Sequence, residues 1–308
     1  MRNTVINTIH EAARKNKNII FLTADLGFSV IEDFQNELPE QVFNVGISEQ
    51  NMVGVAAGLA LQGKKVFIYS IMPFVTMRCL EQIRVDICYQ NLDVTVVGVG
   101  AGFAYGTLGD THHSIEDIAV MRVLPNMKII SPADPLEAEK LIEYIIKNKG
   151  PFFIRLNRGG EENLSSKNKE ISFGKGRILR EGKEVSILST GSITEIALEA
   201  AQLLKNDKID VEVISFHTLK PLDVDLIENL ISNRKIIITL EEHSYIGGLG
   251  SAVSEVIAES DKKCSFKRIG INDEYPKLIG RQDYLRGVSG LSTSNVVGII
   301  KEIYEKEN

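Results

Sequence analysis

The first chemistry-bearing segment is Asn44-Val45-Gly46-Ile47-Ser48-Glu49-Gln50-Asn51-Met52, where a short strand turns through a glycine into a helix. A carboxylate at that turn has two readings. With Ser48 as N-cap, Glu49 stabilises the positive helix end. Alternatively, the small residues that follow (Gly54, Ala56, Ala57, Gly58 and Ala60) form a face that admits another helix or a flat ligand, and Glu49 serves that ligand. The second segment runs from Ala101 to Asp117 and carries Gly102, Gly106, Gly109, Thr111, His112 and His113. It leaves the end of a strand, where ligands sit in α/β sheets. Adjacent histidines point apart and no third ligand accompanies them, so a metal site is weakly supported. Proton transfer or binding of hydroxyls suits a histidine there better, because imidazole titrates near neutrality. Ser114 is expected to cap the next helix, with Asp117 as the matching acid. The third segment, Glu241 to Ser251, contains Gly247-Gly248-Leu249-Gly250. It has neither the G-x-G-x-x-G spacing nor the G-K-[ST] ending of phosphate loops, so a tight strand-to-helix turn packed at an interface is expected.

These segments sit within alternating strands and helices. Apolar runs predict strands over Asn18–Thr23, Gln41–Val45, Lys65–Tyr69, Asp93–Gly98, Lys128–Ser131 and Pro151–Leu156. Helical periodicity covers Val5–Lys15, Glu49–Gln62, Thr76–Tyr89, about Ser114–Leu124 and Pro135–Lys147. From Glu161 to Gly176 the chain turns polar and reads as a linker. The alternation then restarts, with strands at Val185–Ser189, Val211–Ser215 and Lys235–Leu240 and helices at Ile193–Leu204, Asp223–Ser232 and Leu249–Ser260. The fold class is α/β with two domains. The first is a mostly parallel sheet covered on both faces, the second a smaller mixed sheet.

A chain of 308 residues is long enough for two cores. Net charge is −6 with no long basic run, which argues against nucleic acid and against an anionic membrane surface. No apolar run approaches the roughly 20 residues that span a bilayer. Cys79, Cys88 and Cys264 are odd in number and widely spaced, as in buried thiols of a reducing compartment, and a cytoplasmic protein is expected.

Together the motifs GISEQNM, GTLGDTHHSIEDIAVMR, KPLD and EEHSYIGGLGS, in this order, resemble the C-terminal half of transketolase. The resemblance divides the chain into a pyrimidine-binding domain over 1–165, a linker over 166–176 and a transketolase C-terminal domain over 177–308. It implies thiamine diphosphate as cofactor. Glu49 would hydrogen-bond N1′ of the aminopyrimidine and so favour the imino tautomer that activates the thiazolium. Phe74 resembles the aromatic residue that stacks on the pyrimidine, and Asp25 falls among the cofactor-binding positions. His112 matches the histidine that contacts substrate hydroxyls near the reacting carbon, whereas His113 inherits no role. Arg2, Ser29 and Arg158 fall near the family's sugar-phosphate ligands, where an arginine's planar donor fork suits a phosphate.

The family holds Mg²⁺ and the diphosphate through a G-D-G stretch in its N-terminal half. No G-D-G occurs here, and no metal ligand is assigned to this chain. The resemblance therefore implies an N-terminal partner subunit that carries the metal site, and a heterotetramer of two such pairs. The expected activity is transfer of a two-carbon ketol unit from a ketose to an aldose. Many transketolases carry His where Gly100 stands and Asp where Leu108 stands, so the sugar is expected to be modified. A beta subunit of a 2-oxoacid dehydrogenase shares this layout, as does a deoxyxylulose-phosphate-synthase-like ligase. A non-catalytic scaffold with the same fold is the alternative of another class.

Overall fold

The computed structural model describes residues 1–164 and 170–307. In chain order the elements are α1 (Arg2–Lys15), β1 (Ile19–Thr23), α2 (Glu32–Glu37), β2 (Val42–Asn44), α3 (Glu49–Leu61) and β3 (Lys65–Ile71). There follow α4 (Met72–Thr76), α5 (Leu80–Gln82) running into a π-helical turn at Ile83–Cys88, β4 (Val94–Val99), α6 (Asp117–Arg122), β5 (Lys128–Ile130), α7 (Pro135–Lys147) and β6 (Phe152–Leu156). The remainder is β7 (Arg177–Arg180), β8 (Val185–Thr190), α8 (Thr194–Leu204), β9 (Val211–Ser215), β10 (Thr218–Lys220), α9 (Val224–Asn233), β11 (Ile236–Ser244), α10 (Leu249–Glu259), β12 (Ser265–Ile271), α11 (Gln282–Val288) and α12 (Thr293–Glu307).

Seven strands form the first sheet in the order β10-β5-β6-β4-β3-β1-β2, parallel throughout except for β10 against β5. β1, β4 and β6 are buried along their whole length, which is why they are mostly apolar, and the one charge among them, Arg155, is paired with Asp117. On one face α1 and α7 bury Val5, Ile6 and Ile9 beside Leu141, Ile142 and Ile145. α7 starts sharply because Asp134 accepts the Glu137 amide at 2.8 Å and Pro135 opens the first turn. On the other face α3 sets Met52, Val53 and Ala56 into a core that continues unbroken to Leu188, Ile214 and Leu249 of the second half. The second sheet is mixed, ordered β12-β11-β8-β9-β7, with β7 antiparallel to β9.

Several expectations need correction. The single helix over 76–89 is two short helices and a π turn, and it begins earlier, at Met72, because Pro73 is tolerated in a first turn. The helix expected from Ser114 begins at Asp117. Ser114 instead pairs its backbone with Gly102, and Asp117 turns inward to the Arg155 guanidinium at 2.6 Å. The small residues of α3 do not share one face. Ala56 and Ala57 are core, while Gly54 and Gly58 look outward with nothing within 4 Å of where a Cβ would stand. Of the expected linker, 166–169 lies outside the described residues. Within the remainder, Phe173 stacks on Tyr144 of α7 at 4.4 Å. All three cysteines are free, and burial pushes Cys79 up to about 12 and Cys88 to about 11.

Charged groups fill the junction between the sheets. Arg177 reaches both Asp134 (3.0 Å) and Glu137 (3.2 Å), and Ser215 donates to Glu137 at 3.1 Å. One arginine thus serves two buried carboxylates, and burial, then Asp134, pushes Glu137 up to about 7. Glu242 of β11 accepts from the Phe103 amide at 2.7 Å and from Gln282 and Arg286.

Candidate functional site

Glu49 opens α3 and is 2% exposed. Ser48 does not cap the helix; its hydroxyl donates to the Val45 carbonyl at 2.9 Å. Nor is the Glu49 carboxylate spent on first-turn amides. Oε2 accepts from Arg78 at 2.8 Å and Oε1 from the Ser70 hydroxyl at 3.3 Å, the latter at the long limit of a hydrogen bond. The Arg78 guanidinium lies 4.4 Å over the Phe74 ring, and Phe74 meets the His112 ring edge-on at 5.2 Å. Glu49, Arg78, Phe74 and His112 therefore form one continuous row across three separate elements. His112 is half-buried, with Nδ1 3.0 Å from the Thr111 hydroxyl. Burial, then His113, lowers its pKa, so it is neutral at pH 7. His113 is buried scaffolding, edge-on to Phe103 and 3.3 Å from the Gly106 carbonyl.

The row continues through Tyr105, 6.4 Å from His112 and 5.7 Å beneath the exposed Arg158 guanidinium. Arg158 and Arg2 together line an open pocket of about 520 Å³ with Met1, Asn3, Gly159 and Gly160. Arg2 is the first residue of α1, and the Met1 amine is held by Glu161 at 3.0 Å. Asp25 and Ser29 lie on another loop, between β1 and α2, both with positive φ (52° and 62°). Asn44 exchanges two 2.9 Å hydrogen bonds with Asp25 and also receives the Gly46 amide at 3.0 Å, which ties Asp25 to the turn before Glu49. The Ser29 amide donates to Glu32 at 2.6 Å, on the α2 side of its loop. A larger cavity of about 610 Å³ runs along β12 and contains none of these residues. The Gly247–Gly250 turn offers no anion site, because Glu241 accepts the Leu249 and Gly250 amides at 2.7 and 2.8 Å.

Residues 1–160 match the model of the transketolase pyrimidine-binding domain, and residues 174–294 match that of the transketolase C-terminal domain. The chain belongs to the transketolase family. It is 39% identical over 310 residues to a putative transketolase C-terminal section of Methanocaldococcus jannaschii, covering 100% of this chain and 97% of that protein. It is 35% identical to a 6-deoxy-6-sulfo-D-fructose transketolase subunit of Clostridium sp. (strain MSTE9), covering 100% and 95%. A solved split-gene transketolase, described as an inactive beta4 tetramer, superimposes with a TM-score of 0.88 at 36% identity, covering 100% of this chain and 98% of that one. The chain thus corresponds to the C-terminal subunit of a split transketolase.

Transketolases generally use thiamine diphosphate and a divalent metal. The residues present fit the pyrimidine end of that cofactor. A carboxylate has about four acceptor positions, and among the described residues the one ion-pair partner of Glu49 is a 45%-exposed arginine. Phe74 supplies a half-buried ring beside it. Among the described residues no group of three or more His, Cys, Asp or Glu is arranged to hold a metal ion. Arg78 and Tyr105 escaped the sequence reading. Arg78 belongs to no motif, Tyr105 is one residue among many in the Ala101–Asp117 segment, and the contacts of Arg78 with Glu49 and of Tyr105 with Arg158 join residues distant in the chain.

Proposed function

We propose that this chain is the subunit of a split transketolase that supplies the pyrimidine end of the cofactor site and most of the donor pocket, and that it moves a two-carbon ketol unit from a ketose to an aldose. The row Glu49–Arg78–Phe74–His112 carries this reading. When bound, thiamine diphosphate supplies the electron sink for cleaving and forming the ketol carbon–carbon bond. Glu49 would hold the aminopyrimidine end of the cofactor by a hydrogen bond, and Phe74 would supply an aromatic surface for it. Asp25 steadies the same end through Asn44. His112, neutral at pH 7, can both donate to and accept from a substrate hydroxyl next to the reacting carbonyl. Arg158, Arg2 and Ser29 are assigned to a terminal anion of the sugar.

An N-terminal subunit is inferred to bring Mg²⁺, the diphosphate site and the missing wall of the pocket, packing on the open face of α3. Two such pairs close as a heterotetramer. The division 1–165, 166–176 and 177–308 and a cytoplasmic location complete the reading, the latter supported by three free thiols. Gly100 and Leu108 favour a modified sugar, in line with the sulfonated ketose in one relative's name.

The test is reconstitution. The isolated chain is expected to show no ketol transfer, and the complex with its N-terminal subunit to show robust transfer. Glu49→Gln in the complex should lower kcat by about 10²- to 10⁴-fold with little change in folding. Turnover by the isolated chain, or near-normal turnover by Glu49→Gln, refutes the assignment.

A further inference from the structure

Gly100 has φ +99°, and a Cβ there would fall 2.3 and 2.4 Å from two ring carbons of Tyr105. The position at which many transketolases carry a histidine is therefore not an empty space in this protein. The Tyr105 ring lies on the backbone at Gly100 and fills it. Leu108, the other departure, is 53% exposed and has an apolar side chain with no hydrogen-bonding group. Tyr105 thus stands between His112 on one side and Arg158 on the other. Arg2 lines the same pocket as Arg158, whose guanidinium lies over the Tyr105 ring. Burial pushes the Tyr105 hydroxyl up, and Arg2, then Arg158, act against that shift. A ketose with its carbonyl at His112 and its far end at the two arginines must run along this ring.

We propose that Tyr105 is the specificity-determining residue of the donor pocket. Its hydroxyl joins Arg2 and Arg158 in binding a terminal phosphate or sulfonate, and its ring replaces the side chain absent at position 100. This rests on the ketol-transfer reading above. Tyr105 touches the far end of the donor, not the reacting carbons, so its loss should weaken binding rather than chemistry.

The experiment uses the reconstituted complex with glyceraldehyde 3-phosphate as acceptor. The donors are hydroxypyruvate, which has no far end, fructose, fructose 6-phosphate and 6-deoxy-6-sulfofructose. The wild type should prefer one anionic ketose over fructose, and which one it prefers separates phosphate from sulfonate. Tyr105→Phe removes only the hydroxyl. It should narrow that preference by about 10- to 100-fold, the effect of one hydrogen bond to a charged group, and do so through KM. Tyr105→Leu removes the ring as well and should narrow it further, while thermal melting checks that both variants fold. An unchanged preference in both variants overturns the proposal, as does an equal loss of kcat on hydroxypyruvate and on the ketoses. Wild-type turnover of hydroxypyruvate with no preference for either anion also overturns it, leaving ketol transfer intact. No turnover of any donor removes the ketol-transfer reading and this proposal together.

Discussion

Arg78 follows Phe74 by one helical turn, and its guanidinium touches both the Phe74 ring and the Glu49 carboxylate. A buried carboxylate left without its cation keeps its desolvation cost, so Arg78→Ala should destabilise the chain. Because Arg78 is 45% exposed, solvent screens the pair and its coupling should be modest, about 1 kcal/mol. A double-mutant cycle with Glu49→Gln, read by urea unfolding, isolates that coupling. Additive single effects would mean that the pair does not hold Glu49. The same residues mark what a sequence can disclose. Glu49 and His112 could be singled out because each sits in a motif with a chemical rationale, and Phe74 through the family resemblance alone. Arg78 and Tyr105 were not, since the Arg78–Glu49 and Arg158–Tyr105 contacts join residues far apart in the chain. Ser114 misled because serine before an acidic helix start suggests a cap, whereas its backbone is committed to pairing with Gly102.

At the scale of the element, β11 does two jobs with adjacent carboxylates, because neighbouring strand residues point to opposite faces. Glu241 caps α10. Glu242 crosses to the histidine loop, and a Cβ at Gly102 (φ +56°) would stand 2.5 Å from its Oε1. This accounts for the glycine. Glu242→Ala would strand the buried Arg286 and the Phe103 amide, at a cost of about 3–5 kcal/mol. Glu242→Gln keeps an acceptor and should cost less. Hydrogen exchange should show the amides of 102–108 losing protection in Glu242→Ala, and unchanged exchange there would refute the clamp. Long apolar strands and periodic helices such as β4 and α7 were read correctly. The strands β7, β10 and β12 went unread: two are three or four residues long, and the third is an edge strand with partly exposed side chains.

For the whole molecule, the buried junction ties stability to pH. His217 lies there, and burial, then Arg177, lowers its pKa from 6.5 to about 4. Its folded pKa is depressed because the neutral form is the one that fits. The stability it contributes is present above pH 6.5 and is lost as pH falls toward 4. Glu137 and Glu241, both raised to about 7, act oppositely, losing stability as pH rises from 4.5 to 7. His217→Asn removes one term from this balance. Relative to wild type, its unfolding free energy should therefore improve by about 2 kcal/mol between pH 7 and pH 5, read from urea midpoints. Parallel pH profiles would show that His217 does not titrate on unfolding. The two-domain plan was legible from the polar stretch at 161–176, but the sharing of a core and of a sheet across that stretch was not. β10 comes from the second half and closes one border of the first sheet against β5. An open border recruits foreign strands. Genetic crossover between relatives at the polar stretch would therefore leave one descendant with an unhemmed sheet and the other with a strand that has no place to lie. The halves of this subunit should pass through inheritance as a single cassette, with new combinations arising by exchange of whole subunits.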